Sequence, residues 1–130
     1  MKRSERLDVV QQATARTERE RAERVGAAER HLVEMQQKLA ALEKYRSEYE
    51  AGFKSRAGAG VDVVGMRDFQ TFLAKLGEAL AQQRELVALA QRALDAERWQ
   101  SEESRAADRR DQQESDELSQ QRAAAKDLKS

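Results

Sequence analysis

The 130-residue chain has no cysteine and no proline, and aromatic residues make up only 5% of it. Without cysteine there is no disulfide, thiolate metal ligand or cysteine nucleophile, which fits a reducing compartment. Without proline, nothing in the chain forces a helix to break. A hydrophobic content of 39% that leans on alanine cannot fill a thick globular core, so a thin apolar seam is the packing solution available. Strand-forming residues are scarce outside 61–64. No apolar run approaches the roughly 20 residues that cross a bilayer, and residues 1–20 lack the apolar segment of a secretory leader. The expected location is therefore cytoplasmic. An excess of one charge is also missing: 24 basic and 24 acidic side chains cancel. Proteins that grip a phosphate backbone carry a basic surplus on one face, so no nucleic-acid partner is expected.

What the sequence does have is charge, at 37%, together with abundant Ala, Gln, Glu, Arg and Leu, the composition of long helices. Val25, Ala28, Leu32, Met35, Leu39, Leu42, Tyr49 and Phe53 follow an alternating three-four spacing, with Arg46 at the one polar position. Phe69, Leu73, Leu76, Leu80, Val87, Ala90 and Leu94 do the same, with Gln83 as the polar member. Each series is a helical seam. Leu7 and Val10 suggest that the first seam begins early, and Leu118 and Leu128 are isolated echoes of the second. Between the seams the stretch AGAGVDVVGM (57–66) is nearly uncharged, and four of the six glycines (Gly52, Gly58, Gly60, Gly65) fall in or beside it.

Two apolar stripes joined by so short a break are expected to fold back on each other, because each needs a partner and the nearest lies on the same chain. The predicted fold is all-α: a single antiparallel coiled-coil hairpin over 1–130, with helices over about 3–54 and 65–118 and a turn over about 55–64. A tail over about 119–130 is expected to fray, for lack of apolar surface to dock. At about 1.5 Å per residue each arm would be on the order of 75 Å long, making a rod. Glycine in the break supplies positive φ, and Asp62 is placed to cap the second helix.

A turn centred near residue 60 brings Lys38, Leu42, Tyr45 and Tyr49 opposite Gln83, Ala79, Leu76 and Phe72, in that order. Five of the six aromatics (Tyr45, Tyr49, Phe53, Phe69, Phe72) crowd the half of the hairpin nearest the turn. Phe72, Ala79 and Leu86 recur every seven residues beside the main seam, widening the apolar face beyond what one partner helix covers. Such a face either staples the turn end shut or serves as a docking surface.

Residues 14–31 alternate in sign, as in Glu20 and Arg24. They form either a solvated helical face or a stem seated in a charged socket. Trp99 is expected to pack across to Arg21 and Ala22, with guanidinium stacking available. His31, the only histidine, has no ligand cluster around it, so no metal is expected. Gly58, Gly60 and Gly65 lack the spacing of a nucleotide loop, and no cofactor is expected. A solvated hairpin offers no water-excluding pocket for catalysis, so the chain reads as a non-enzyme.

The start MKRSERL, the segment YRSEYEAGF (45–53), the run MRDFQTFLAKLGEALAQQRELV (66–87) and AERWQ (96–100) together resemble the FliJ family. These are soluble coiled-coil components of the bacterial flagellar type III export apparatus. The resemblance covers nearly the whole chain. It implies a non-catalytic stalk, similar in shape to the central stalk of rotary ATP synthases. Such a stalk sits within the ring of the export ATPase FliI and contacts the export gate protein FlhA, with links to FliH and to export chaperones. It further implies peripheral association with the inner membrane through the apparatus, and a role in motility and chemotaxis. The family's gate-binding surface maps onto Leu42, Tyr45, Tyr49, Phe72, Leu76 and Ala79, flanked by Lys38 and Gln83. The ring-binding end maps onto the paired termini, roughly 1–25 and 95–118. Rival readings are an injectisome stalk of virulence secretion, a homodimeric coiled-coil spacer and, less in keeping with the charge balance, a nucleic-acid-binding hairpin arm.

Overall fold

The computed structural model describes residues 2–129. It contains two helices, α1 (Arg3–Ala57) and α2 (Val63–Lys129), and no strand among the described residues. The fold is the expected all-α antiparallel pairing of two long helices. Both lack proline and are rich in strong helix formers, so nothing interrupts them. Glu5 reaches back to accept the Lys2 backbone N–H at 3.1 Å, which satisfies one of the free donors at the start of α1. Lys54 and Arg56 lie in its last turn, where positive charge complements the helix dipole.

α1 ends where side chains give out. The Gly58 N–H donates to the Lys54 carbonyl (3.4 Å), Ala59 to Arg56 (3.0 Å) and Gly60 to Ala57 (3.1 Å). Gly60 then takes a φ of 99°, a conformation that a Cβ would disfavour. Asp62 caps α2 as anticipated: its carboxylate accepts the Gly65 N–H at 2.7 Å, and its carbonyl accepts the Met66 N–H at 3.0 Å. The connection spans only 58–62, tighter than the expected 55–64.

At the other end, α2 continues past residue 118 to Lys129, with exposed side chains over 119–128. The helix thus ends later than the expected 118. Gln, Ala and Lys carry the helix on by local preference, and no breaker stops it.

The chain divides into two compact units. One comprises Gly26–Asp95, the two helical stretches that flank the turn and the turn itself; we call it the tip unit. The other, the stem unit, pairs the residues up to Val25 with those from Ala96 onward. In the tip unit the seam closes over Leu32, Met35, Leu76, Leu80, Ala90 and Leu94, with Leu80 fully buried. Burying a leucine in this way stabilises by about 1.5–3 kcal/mol. Of the remaining members of the two series, Gln83 is buried, Arg46 is exposed and the others, Val25 included, are half-buried.

The stem unit is built differently. Its buried side chain is Ser101, and Arg21 pairs with Asp108 at 3.2 Å. Leu7 and Val10 are exposed, so the apolar seam does not extend to them. Trp99 is 64% exposed, so the expected packing against Arg21 and Ala22 buries little of it. The turn of α2 that buries Leu94 and Ser101 points position 99 outward.

Candidate docking surface near the turn

Tyr45, Tyr49 and Phe53 stand four residues apart on α1, one above the other, and Phe69 and Phe72 stand three apart on α2. Antiparallel pairing interleaves the two rows. Phe53 stacks on Phe69 with ring centroids 3.7 Å apart and planes at 10°. Phe69 in turn lies 5.5 Å from Tyr49 at 15°. Tyr49 meets Phe72 at 4.3 Å and 44°, and Phe72 meets Tyr45 edge-on at 6.0 Å and 74°. Each α2 ring thus sits between two α1 rings, a continuous ladder running away from the turn. Offset and edge-on pairs of this kind each stabilise by about 0.5–1.5 kcal/mol beyond the area they bury.

The ladder ends in solvent. Tyr45 is 50% exposed, while Tyr49, Phe53, Phe69 and Phe72 are half-buried. Leu42 and Ala79 continue the same face half-buried, and Leu86 and Leu89 extend it with exposed side chains. A two-helix seam has one interior line, so rings lying beside that line stay partly wet. Beside the ladder an open groove of about 590 Å³ is lined by Tyr49, Phe53, Arg56, Asp68 and Phe69.

The eight residues singled out from the sequence occupy distinct places. Tyr45, Tyr49 and Phe72 touch through their rings, with Leu42 and Ala79 on the same half-buried face. Leu76 is buried behind this face. Gln83, 8% exposed, turns inward: its Nε2 donates to the Met35 carbonyl at 3.0 Å and approaches Met35 Sδ at 3.6 Å. Lys38 is exposed and pairs with Glu34 on its own helix at 3.3 Å. Gln83 therefore faces Met35, one helical turn from the expected Lys38. Phe53 and Phe69 belong to the same ladder, although the sequence reading left them outside the surface. The four-residue spacing from 45 through 49 to 53 is the signal that joins them.

Several of the surrounding charges are paired. Arg46 pairs with Glu50 at 3.1 Å, Lys44 with Glu48 at 3.9 Å, and Arg84 with Glu43 across the helices at 3.9 Å. No buried side-chain nitrogen or oxygen among the described residues lacks a partner. Among the described residues no helix is long and apolar enough to cross a membrane, and no cluster of His, Cys, Asp and Glu could hold a metal ion. What the surface offers is a row of half-wet rings with paired charges beside part of it, which suits recognition of another protein.

No curated protein and no solved structure matches the chain. A family model does: that of the Flagellar FliJ protein matches residues 2–101, a span containing the whole turn, the aromatic ladder and most of the seam. A chain with this fold, these rings at this spacing and this match belongs to the FliJ family, a component of the flagellar export apparatus.

Proposed function

We propose that this protein is a non-catalytic adaptor that links the export ATPase FliI to the export gate protein FlhA. In this reading the tip unit holds the gate through Tyr45, Tyr49, Phe72, Leu42 and Ala79. Leu76 supports these from behind, Gln83 fixes the register beneath them, and Lys38 offers a charge at the edge. The paired ends of the chain engage the ATPase ring, and FliH and export chaperones are further partners. The protein works at the cytoplasmic side of the inner membrane through the apparatus it joins.

The observation that carries this reading is the half-exposed ring ladder, whose outer member Tyr45 meets Phe72 edge-on and is 50% exposed. A ring held in place by its neighbour loses little conformational freedom on binding, so contacts made to it favour association.

The test is binding to the cytoplasmic part of FlhA. Tyr45→Ala, at the exposed end of the ladder, weakens binding while helicity by circular dichroism stays unchanged. The triple variant Tyr45→Ala, Tyr49→Ala, Phe72→Ala abolishes it. Binding unchanged in both would refute the assignment. A pull-down with FliI, with its ATPase rate measured in the presence and absence of this chain, tests the other end.

A further inference from the structure

Among the described residues the buried apolar side chains all lie from Leu32 to Leu94, within the tip unit. The stem unit pairs two helical stretches without any. On α2 its buried side chain is Ser101, and Glu97, Ser104 and Asp108 are half-buried, as are the small Ala106 and Ala107. Glu97, Ser101, Ser104 and Asp108 continue the three-four spacing of Leu94, so the seam persists as geometry while its chemistry changes from apolar to polar. Of the apolar residues the stem does carry, Leu7, Val10 and Trp99 are exposed, and Val25, Ala106 and Ala107 are no more than half-buried, so none adds a buried core to its closure.

The ion pair between Arg21 and Asp108 joins a guanidinium that is 15% exposed to a carboxylate that is 40% exposed. Solvent at the carboxylate screens the pair, so it favours the closed form only modestly. Isolated helices gain little from propensity alone and depend on burying an apolar face against a partner. In the stem that dependence is unmet. The boundary in α1 falls at Gly26, the poorest helix former after proline.

We propose that the stem unit is a latch: its two strands of helix separate and rejoin while the tip unit stays paired, so that the chain ends open in the otherwise folded protein. Opening costs little because it exposes serines, charged groups and already wet side chains rather than a leucine core. A partner that grips both strands holds the latch shut, and one that binds a single strand holds it open. This inference rests on the make-up of the seam and stands whether or not the adaptor reading does.

Native-state hydrogen exchange on the full chain tests it. Stem amides, those near Arg21 and Ser101, are expected to exchange roughly tenfold or more faster than amides near Leu32 and Leu80. Leu80→Val speeds exchange in the tip unit and leaves stem rates unchanged. The double variant Glu97→Leu, Ser104→Leu gives the stem an apolar seam and slows its exchange by roughly tenfold or more, with no effect on the tip. Equal protection in both units would overturn the proposal. So would Leu80→Val speeding both alike, or the apolar double variant leaving the stem as it was.

Discussion

The same substitution, glycine to alanine, should have opposite consequences at two positions in α2. An added Cβ at Gly77 meets nothing within 4 Å, and the residue lies in the helix interior. Alanine there gains helix propensity at no steric cost, so Gly77→Ala stabilises the tip unit by about 1 kcal/mol. Gly65 stands in the first turn of α2. Its Cβ would lie 2.9 Å from Val61 Cγ1 and 3.1 Å from Asp62 Oδ1. That oxygen is the one accepting the Gly65 N–H at 2.7 Å, so alanine displaces the cap of the helix it joins. Losing a cap costs about 1 kcal/mol, and the crowded valine, short and branched, has little room to yield. The propensity gain at Gly65 is thereby offset or exceeded, leaving Gly65→Ala neutral to destabilising by up to about 1 kcal/mol. Urea titration followed by far-UV circular dichroism, with each variant measured against the parent chain, reads the difference. The two should differ by about 1–2 kcal/mol, with Gly77→Ala the more stable. If Gly65→Ala stabilised as much as Gly77→Ala, the turn would not have the capped geometry described.

Two further outcomes follow from the seam and the ladder. Gln83→Ala loses the hydrogen bond to Met35 and leaves a small cavity, and it destabilises by about 2 kcal/mol. Gln83→Leu restores the volume, and because the Met35 carbonyl keeps its bond within α1, it returns stability to within about 1 kcal/mol of the parent. Thermal and urea denaturation check both. For the stacked pair Phe53 and Phe69, a double-mutant cycle with leucine at each position gives a coupling energy of about 0.5–1.5 kcal/mol. A coupling near zero would mean that the rings do not stack in solution.

The tip unit was legible because its chemistry and geometry agree. Apolar residues at three-four spacing mark the buried line in both helices, and the glycines with Asp62 mark the turn and its cap. The expected pairing of Tyr49 with Phe72 is met at 4.3 Å. A single pairing constant was less exact elsewhere, because packed side chains reach along the helix axis. Tyr45 meets Phe72, one turn from Leu76, and Gln83 donates to Met35, one turn from Lys38. The stem was misread where residue type was given more weight than position. Trp99 drew attention as an aromatic, yet counting on from Leu94 puts Ser101 and Asp108 inward and Trp99 outward. The helix beyond 118 was missed for a related reason: absence of apolar surface removes a docking partner but does not remove the local preference of alanine, glutamine and lysine for helix. The partners of the surface were carried by the family resemblance and not by the geometry. An apolar, half-wet face offers area for a partner, while the identity of any partner lies in the other protein's shape and charge.

The central claim is that α1 and α2 of one chain pair with each other. Because the chain has no cysteine, Glu43→Cys with Arg84→Cys allows unambiguous placement of two spin labels, at side chains 3.9 Å apart across the helices. Dipolar spectroscopy should give one short distance that persists when labelled protein is mixed with excess unlabelled protein. A long distance, or a short one that disappears on dilution with unlabelled chain, would show that the helices pair between molecules instead and contradict the account.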